Sequence, residues 1–336
     1  MDATIAIAIL VTLLVGPLFF RLVEENLEIY CLAVGLFAIN LSGGPDWELA
    51  KKALADPVPI SAAVISAGFA FQYGRRWLDN GLDSIAARIS RPAATALTVS
   101  IVALISSVIT SIVAALVLVE ALRSLRLHKE KLVRVTVVGC LAIGLGASLT
   151  PLGEPLSTIA IDSLQLEFFG LFTLLAPFVL PGIAACALLA GLFARGRHAA
   201  EQETPQAPES AATVLTRGVK VFAFIAGLVL LGEAYAPVAC AYLSKLSPAS
   251  LFWANSAGAA LDNATVIAIE IRGMPLHLAR QAILSLLASG AMLVQGNIPN
   301  IIAAGSLGIS AANWARVGVP LGLLFLVFYF LALQLS

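Results

Sequence analysis

Gly144–Asp162 reads GLGASLTPLGEPLSTIAID, and towards the other end of the chain Ser289–Gly305 reads SGAMLVQGNIPNIIAAG. Each stretch lies inside a long apolar region yet carries proline, glycine and polar or acidic side chains. Burying such groups in hydrocarbon is costly unless they are paired or serve a site. Two interruptions of this kind in corresponding halves point to discontinuous membrane helices of a secondary transporter, and to two halves of one binding site.

The composition sets the frame for that reading. Of 336 residues, 60% are hydrophobic and 12% are charged, with a formal net charge of +0. Mean hydropathy is +0.95 and the sequence pI ≈ 6.8. Soluble domains carry about 25% charged residues, so this is a polytopic membrane protein whose principal partner is the lipid bilayer. The balanced charge offers no basic surface for nucleic acid. Met1–Leu10 lacks a basic leader and turns apolar at once, as a first spanning helix does and a cleaved signal does not. Cys31, Cys140, Cys186 and Cys240 are scattered without metal-ligand spacing and read as small buried hydrophobes. His128, His198 and His277 sit in charged loops with no metal-like arrangement. With no dinucleotide, Walker or zinc-hydrolase pattern, no cofactor is expected.

Taken in order, residues 1–56 hold two short spans, Ile5–Phe20 and Leu27–Leu41, followed by a polar loop over Ser42–Asp56 with Trp47 at the interface. Residues 57–193 form a first transport repeat. It opens with a span at Pro57–Tyr73 and an amphipathic interfacial helix at Asp79–Arg91. Residues 92–122 are then apolar with a polar centre of Ser106, Ser107, Thr110 and Ser111, and basic residues flank both ends. Lys and Arg favour the cytoplasm, so a re-entrant hairpin that returns both ends to one side fits this segment. A single tilted helix with hydroxyls bonded to its own carbonyls is the alternative. A broken helix at 132–163 and a plain span at Phe168–Phe193 complete the unit. The linker 194–217 contains EQETPQAPES, polar and rich in Pro and Glu. Residues 218–335 repeat the order, with a span to Leu243, a hairpin at 248–271 around ALDNAT, a broken helix at 276–305 and a closing span at Ala311–Leu333.

Pro155 and Pro299 are 144 positions apart, as are Ala160 and Ala304, whereas Pro177 and Pro320 differ by 143 and Ser111 and Asn263 by 152. The shared order of elements outweighs these offsets. With hairpins that do not cross, the two units start on opposite sides of the membrane. The expected architecture is therefore an all-α polytopic inverted-repeat secondary transporter with two re-entrant helical hairpins and two discontinuous helices.

At these residues the chain resembles the ion transporter superfamily, which includes arsenite permeases, NhaD-type sodium/proton antiporters and sodium-coupled dicarboxylate carriers. Within it the likeness is nearest to DUF1646, a family of predicted cation transporters. Ala147–Ser157 resembles the superfamily's first broken-helix element, Asp262–Thr265 its hairpin tip, and Gly296–Asn300 its second broken-helix element. The resemblance implies tips and breaks meeting near the membrane midplane, and a homodimer. Two departures weigh against dicarboxylate transport: SSVITS stands in place of an Asn-Thr tip, and Glu154 stands where many carboxylate carriers have small or neutral residues.

Glu154 and Asp262 are the candidate charged ligands for Na⁺, since a carboxylate there can exchange the ion for a proton. Thr150, Ser157, Asn263, Thr265, Asn297 and Asn300 could supply neutral oxygens, with Ser106, Ser107, Thr110 and Ser111 completing the first tip. As lesser alternatives, Glu154 could cap the following helix and Asp262–Asn263 could satisfy hairpin N–H groups, while Asn297 and Asn300 could seal their break. Pro151, Gly153, Pro155, Gly296 and Pro299 are architectural. Glu233 is a candidate proton relay, while Glu120 and Glu270 read as surface positions at hairpin ends. The leading reading is transport of a monovalent cation, Na⁺, with cation/proton antiport by alternating access. The alternative is sodium-coupled symport of a small organic anion. An enzyme is not expected, because Ser157 and Ser256 have no histidine in their own break or tip. The expected location is the plasma (inner) membrane of a prokaryote.

Overall fold

Apolar runs that must satisfy their own backbone in a bilayer become helices, and among the described residues every regular element is helical. The computed structural model describes residues 2–20, 22–23, 26–62, 64–66, 69, 89–125, 127–196, 211–243, 246–256, 263–271 and 274–335. The later part of the expected Pro57–Tyr73 span, most of Asp79–Arg91, the 197–210 part of the linker and Asp262 lie outside them.

The N-terminal helices are α1 (Ala3–Phe19), α2 (Leu27–Leu41) and α3 (Trp47–Ala55). The last of these corrects the expected polar loop. Asp46 caps it by accepting from Leu49 N at 2.7 Å, enough to start a short amphipathic helix where Gly and Pro suggested only a turn. The first half contains α4 (Arg91–Ile109), α5 (Ser111–Ser124), α6 (Lys129–Ala147), α7 (Pro155–Leu164) and α8 (Gly170–Phe193). The second contains α9 (Ala211–Leu243), α10 (Pro248–Ala254), α11 (Asn263–Glu270), α12 (Leu276–Gly290), α13 (Ile298–Leu307) and α14 (Ala311–Gln334). Helix α9 begins at Ala211, so the last residues of the expected linker are already helical. Helix α12 ends at Gly290, five residues before the Gln295 expected from the sequence.

Four helices are long and apolar enough to cross a membrane among the described residues: Arg91–Ile109, Gly170–Phe193, Ala211–Val238 and Ala311–Gln334. The chain is an all-α, multi-spanning membrane protein with discontinuous helices. Leu188 of α8 and Leu324, Phe328 and Leu331 of α14 are exposed, as lipid-facing side chains are. The core runs instead along α6, where every residue from Val135 to Ala147 is buried, and along α12, buried from Ala282 to Gly290. A helix apolar on all sides belongs in the interior.

The same neighbours recur in both halves. The helix before each break packs on the plain span that follows, α6 on α8 and α12 on α14. The helix after each break packs in the opposite half: α7 lies on α11, and α13 lies on α5. Helix α9 is held by α2, where Gly35 and Gly227 bring the two backbones together. A Cβ on Gly35 would stand 2.6 Å from the Gly227 carbonyl oxygen.

Candidate functional site at two helix breaks

Ending a helix inside a protein strands its last carbonyls and the first amides of the next helix. In the first break, α6 ends at Ala147 and α7 begins at Pro155, whose missing N–H suits a first helical turn. The intervening loop folds back so closely that a Cβ on Gly153 would collide with the Ala147 carbonyl oxygen. Ser157 Oγ donates to Ala147 O at 3.2 Å, and Thr158 Oγ1 donates to Pro151 O at 2.7 Å.

The polar centre of 92–122 docks on this break. Helices α4 and α5 are joined through the single residue Thr110, held at φ 71, an uncommon conformation for a β-branched side chain. Ser111 N donates to Gly153 O at 2.8 Å, and Thr150 Oγ1 donates to Ser107 O. Ser106 Oγ lies 3.0 Å from Ile143 O and 2.6 Å from Ala103 O. Ser107 Oγ donates back to Leu104 O at 2.7 Å. All four expected tip residues thus lie at or beside the turn, and Ser106, Ser107 and Ser111 bond directly to α6 or the first break.

The second break runs from Ala291 to Asn297 and includes a short 3₁₀ turn at Val294–Gly296. Asn300 Nδ2 donates to Gly290 O at 2.7 Å and to Leu293 O at 2.9 Å. Trp314 Nε1 donates to Ala291 O at 3.1 Å, a seal that the sequence reading missed because Trp314 lies in the next helix. Asn297 Oδ1 accepts from Ile298 N at 2.8 Å. Its Nδ2 faces α6, where a Cβ on Gly144 would stand only 3.3 Å away. Cys140 Sγ is 3.6 Å from Pro299 O, so α6 runs alongside the second break.

The helix ends and caps of the two breaks match at an offset of 143, one less than the prolines suggest. Ala147 and Gly290 end the first segments, and Glu154 and Asn297 occupy the N-caps with extended backbones (φ -157 ψ 160 and φ -158 ψ 150). Gln165 and Gly308 close the second segments in the left-handed region at φ 52 and φ 62. Ser157 therefore corresponds to Asn300, and each bonds a carbonyl ten residues earlier. Pro155 and Pro299 differ by one position because either of the first two helical residues can lack an N–H.

Glu154 is buried at 7% exposure, and although it stands at the N-cap its side chain makes no capping bond. Asn263, at the start of α11, is 3% exposed with both Oδ1 and Nδ2 unpartnered among the described residues. Its amide lies against Gly290, and a Cβ there would meet Asn263 Nδ2 and stand 3.2 Å from Gly296 O. Tip and break meet in the second half as in the first. Asp262 and the side chain of Thr265 fall outside what the structure describes.

Glu233 stands on the exposed side of α9. Two other expectations need correction. Neither hairpin-end acid is a surface group. Glu120 accepts from Arg123 at 2.6 Å with both side chains largely buried, and Arg123 reaches Ser306 O of α13 at 2.7 Å. Glu270 is buried at 9% exposure. The only sequence signal for either was an acid in an otherwise apolar run. Among the described residues no group of three or more His, Cys, Asp and Glu could hold a metal ion.

A family described as protein of unknown function, DUF1646, matches residues 3–335. The chain belongs to DUF1646. No curated protein matches it by sequence. The family match spans both breaks and both polar-tipped segments, so the paired arrangement lies wholly inside the family's extent.

Proposed function

We propose that this protein is a secondary active transporter of a monovalent cation, with Na⁺ the leading candidate, and that the ion binds between the two helix breaks. The observation that carries this reading is Asn263, whose buried amide has no partner among the described residues and lies against the second break. A polar group left bare in the interior costs about 1–3 kcal/mol, and a ligand that visits the site offsets that cost.

The bonding at the breaks favours a cation over an anion. The hydrogens of Thr150, Ser157 and Asn300 Nδ2 are committed to backbone carbonyls, so what these side chains can offer a ligand is oxygen lone pairs. Several first-turn amides of the helices after the breaks are engaged as well: Ser157 N and Thr158 N donate to Glu154 O, Ile298 N to Asn297 Oδ1 and Asn300 N to Asn297 O. Glu154 brings the negative charge that a cation requires. The crossed packing of α7 on α11 and α13 on α5, with matching caps, supports an inverted repeat in which α4–α5 and α10–α11 are re-entrant hairpins. Rocking one unit against the other would then expose the breaks to each side in turn.

The bare donor Asn263 Nδ2 keeps sodium-coupled uptake of a small organic anion as the second reading. Proteoliposomes carrying the full chain decide between them. With a pH gradient imposed, Na⁺, Li⁺ or K⁺ is added and internal pH is followed for wild type and Glu154→Gln. Sodium-dependent recovery that the variant loses supports cation/proton antiport. No response to any cation, together with sodium-driven uptake of small carboxylates, would replace it with the symport reading.

A further inference from the structure

Helix α11 carries Asn263 at one end and, at the other, a carboxylate that the transport site does not use. Glu270 Oε2 accepts from Asn255 Nδ2 at 3.1 Å, and the same amide nitrogen donates to Ser285 Oγ at 3.0 Å. Ser285 Oγ in turn donates to Ala282 O at 2.8 Å. The three residues come from the end of α10, the end of α11 and the middle of α12, and are 2%, 9% and 0% exposed for Asn255, Glu270 and Ser285. Every hydrogen in the cluster is spent. Two atoms are left over: Glu270 Oε1 and Asn255 Oδ1 are buried with no partner among the described residues.

Both leftover atoms are acceptors. With Glu270 ionised, the cluster holds a buried charge and two bare oxygens with no donor to face them, which is costly inside a protein. One proton corrects all of this. It neutralises the carboxylate, turns Oε1 from acceptor into donor, and supplies a hydrogen that Asn255 Oδ1 can accept. A metal ion would cancel the charge but needs a fuller oxygen shell than these three side chains present.

Among the described residues no fixed positive charge is paired with Glu270. The elements packed against α11 carry Asp162 (α7), Arg217, Lys220, Glu233, Tyr235 and Tyr242 (α9), and His277 and Arg280 (α12), while α10 carries no ionisable group. Among the described residues none of these pairs with Glu270. Lys220 is turned to Glu28 at 3.5 Å, and Arg280 lies over the Phe178 ring at 4.9 Å.

We propose that Glu270 is a proton-binding site, held by Asn255 and Ser285 and separate from the helix breaks, whose loading is transmitted to the second break along α11. A proton from water adds to Oε1 as the O–H bond forms, and release reverses the step with no change in oxidation state. Seven residues of helix, about 10 Å, join Glu270 to Asn263. Helix α12 completes the link, since it carries Ser285 and ends at Gly290, against which Asn263 lies. The loaded cluster holds α11 to α10 and α12, and the unloaded one relaxes that hold. The proton site stands independently, whereas its coupling to an ion rests on the transport reading above.

Infrared difference spectra of the full chain in lipid nanodiscs, taken across pH steps, read the C=O band of a protonated carboxylic acid directly. Every titrating carboxyl of the chain contributes to this band, so subtracting the Glu270→Gln spectrum from that of wild type is expected to isolate one component, which Glu154→Gln retains; no such component overturns the proposal. Asn255→Leu keeps the carboxyl but removes both the donor to its carbonyl oxygen and the acceptor for its hydroxyl, so the C=O band is expected to persist at a higher wavenumber. An unmoved band in that variant overturns the cluster even if Glu270→Gln does not fold. In proteoliposomes, Glu270→Gln is expected to pass the cation while its proton movement falls at least tenfold; full proton coupling in that variant overturns transmission along α11. Absence of all wild-type cation flux would defeat the transport reading and leave the spectroscopic result standing.

Discussion

Replacing Asn300 by Ala removes the donor that closes the second break. Its Nδ2 serves Gly290 O at 2.7 Å and Leu293 O at 2.9 Å, and Asn300 is 1% exposed, so water does not replace it. The two carbonyls do not suffer equally. Leu293 O keeps a second donor in Gly296 N at 3.2 Å, whereas Gly290 O loses its side-chain partner at a helix end. The cost is about 1 kcal/mol for the shared carbonyl plus about 1–3 kcal/mol for the stranded one, roughly 2–4 kcal/mol in all. Interhelical hydrogen bonds measured in membranes average only about 0.6 kcal/mol, because alternative partners exist there; at this break Asn263 Nδ2, beside Gly290, is one such donor, which sets the expected cost at the lower end of that range. The equivalent change in the first repeat, Ser157→Ala, removes one longer bond of 3.2 Å and should cost about 1 kcal/mol. Asn300→Asp, similar in shape, sets a carboxylate against two carbonyl oxygens and should cost more than Asn300→Ala. Steric-trap unfolding of the full chain in bicelles measures all three. A cost for Asn300→Ala below about 0.5 kcal/mol, or one no larger than that of Ser157→Ala, would refute both the sealing role and the 143-residue equivalence.

The two glycines beside the breaks should separate sharply. Gly153→Ala drives a methyl into the Ala147 carbonyl and should cost about 3 kcal/mol or more, whereas Gly144→Ala meets only Asn297 Nδ2 at 3.3 Å and should cost under about 1.5 kcal/mol, both by the same unfolding assay. Asn263→Ala loses no hydrogen bond to a described residue, so stability should stay within about 1 kcal/mol of wild type while cation flux in proteoliposomes drops at least tenfold. A parallel loss of stability and flux would make Asn263 structural. Cys31, Cys140 and Cys186 are buried at 0%, 1% and 0% exposure, so in a Cys240→Ser background a maleimide should label none of them until the protein is unfolded. Labelling in the native state would place a water-filled path where the structure shows packing.

The sequence by itself determined the class, the presence of both breaks and the residues of the first tip, while the second break opens five residues earlier than the sequence suggested. These features are written locally: a proline or glycine in an apolar run breaks the helix ladder wherever the chain folds, and Ser-rich tips need cover wherever they lie. Helix α2 matched its expected bounds for the same reason. Tertiary structure decided which groups are bare. Thr150, Ser157 and Asn300 look alike from sequence as ligand oxygens, yet their hydrogens close the breaks, while Asn263 is left without a described partner. The offset between the two breaks moved from 144 to 143 because helix ends, and not prolines, set the correspondence. Glu233 and Glu270 exchanged standing most plainly, since both are acids in apolar runs. Burial and hydrogen bonding depend on which helix face meets a neighbour, and only the packing of α11 against α12 turned Glu270 inward while α9 left Glu233 exposed.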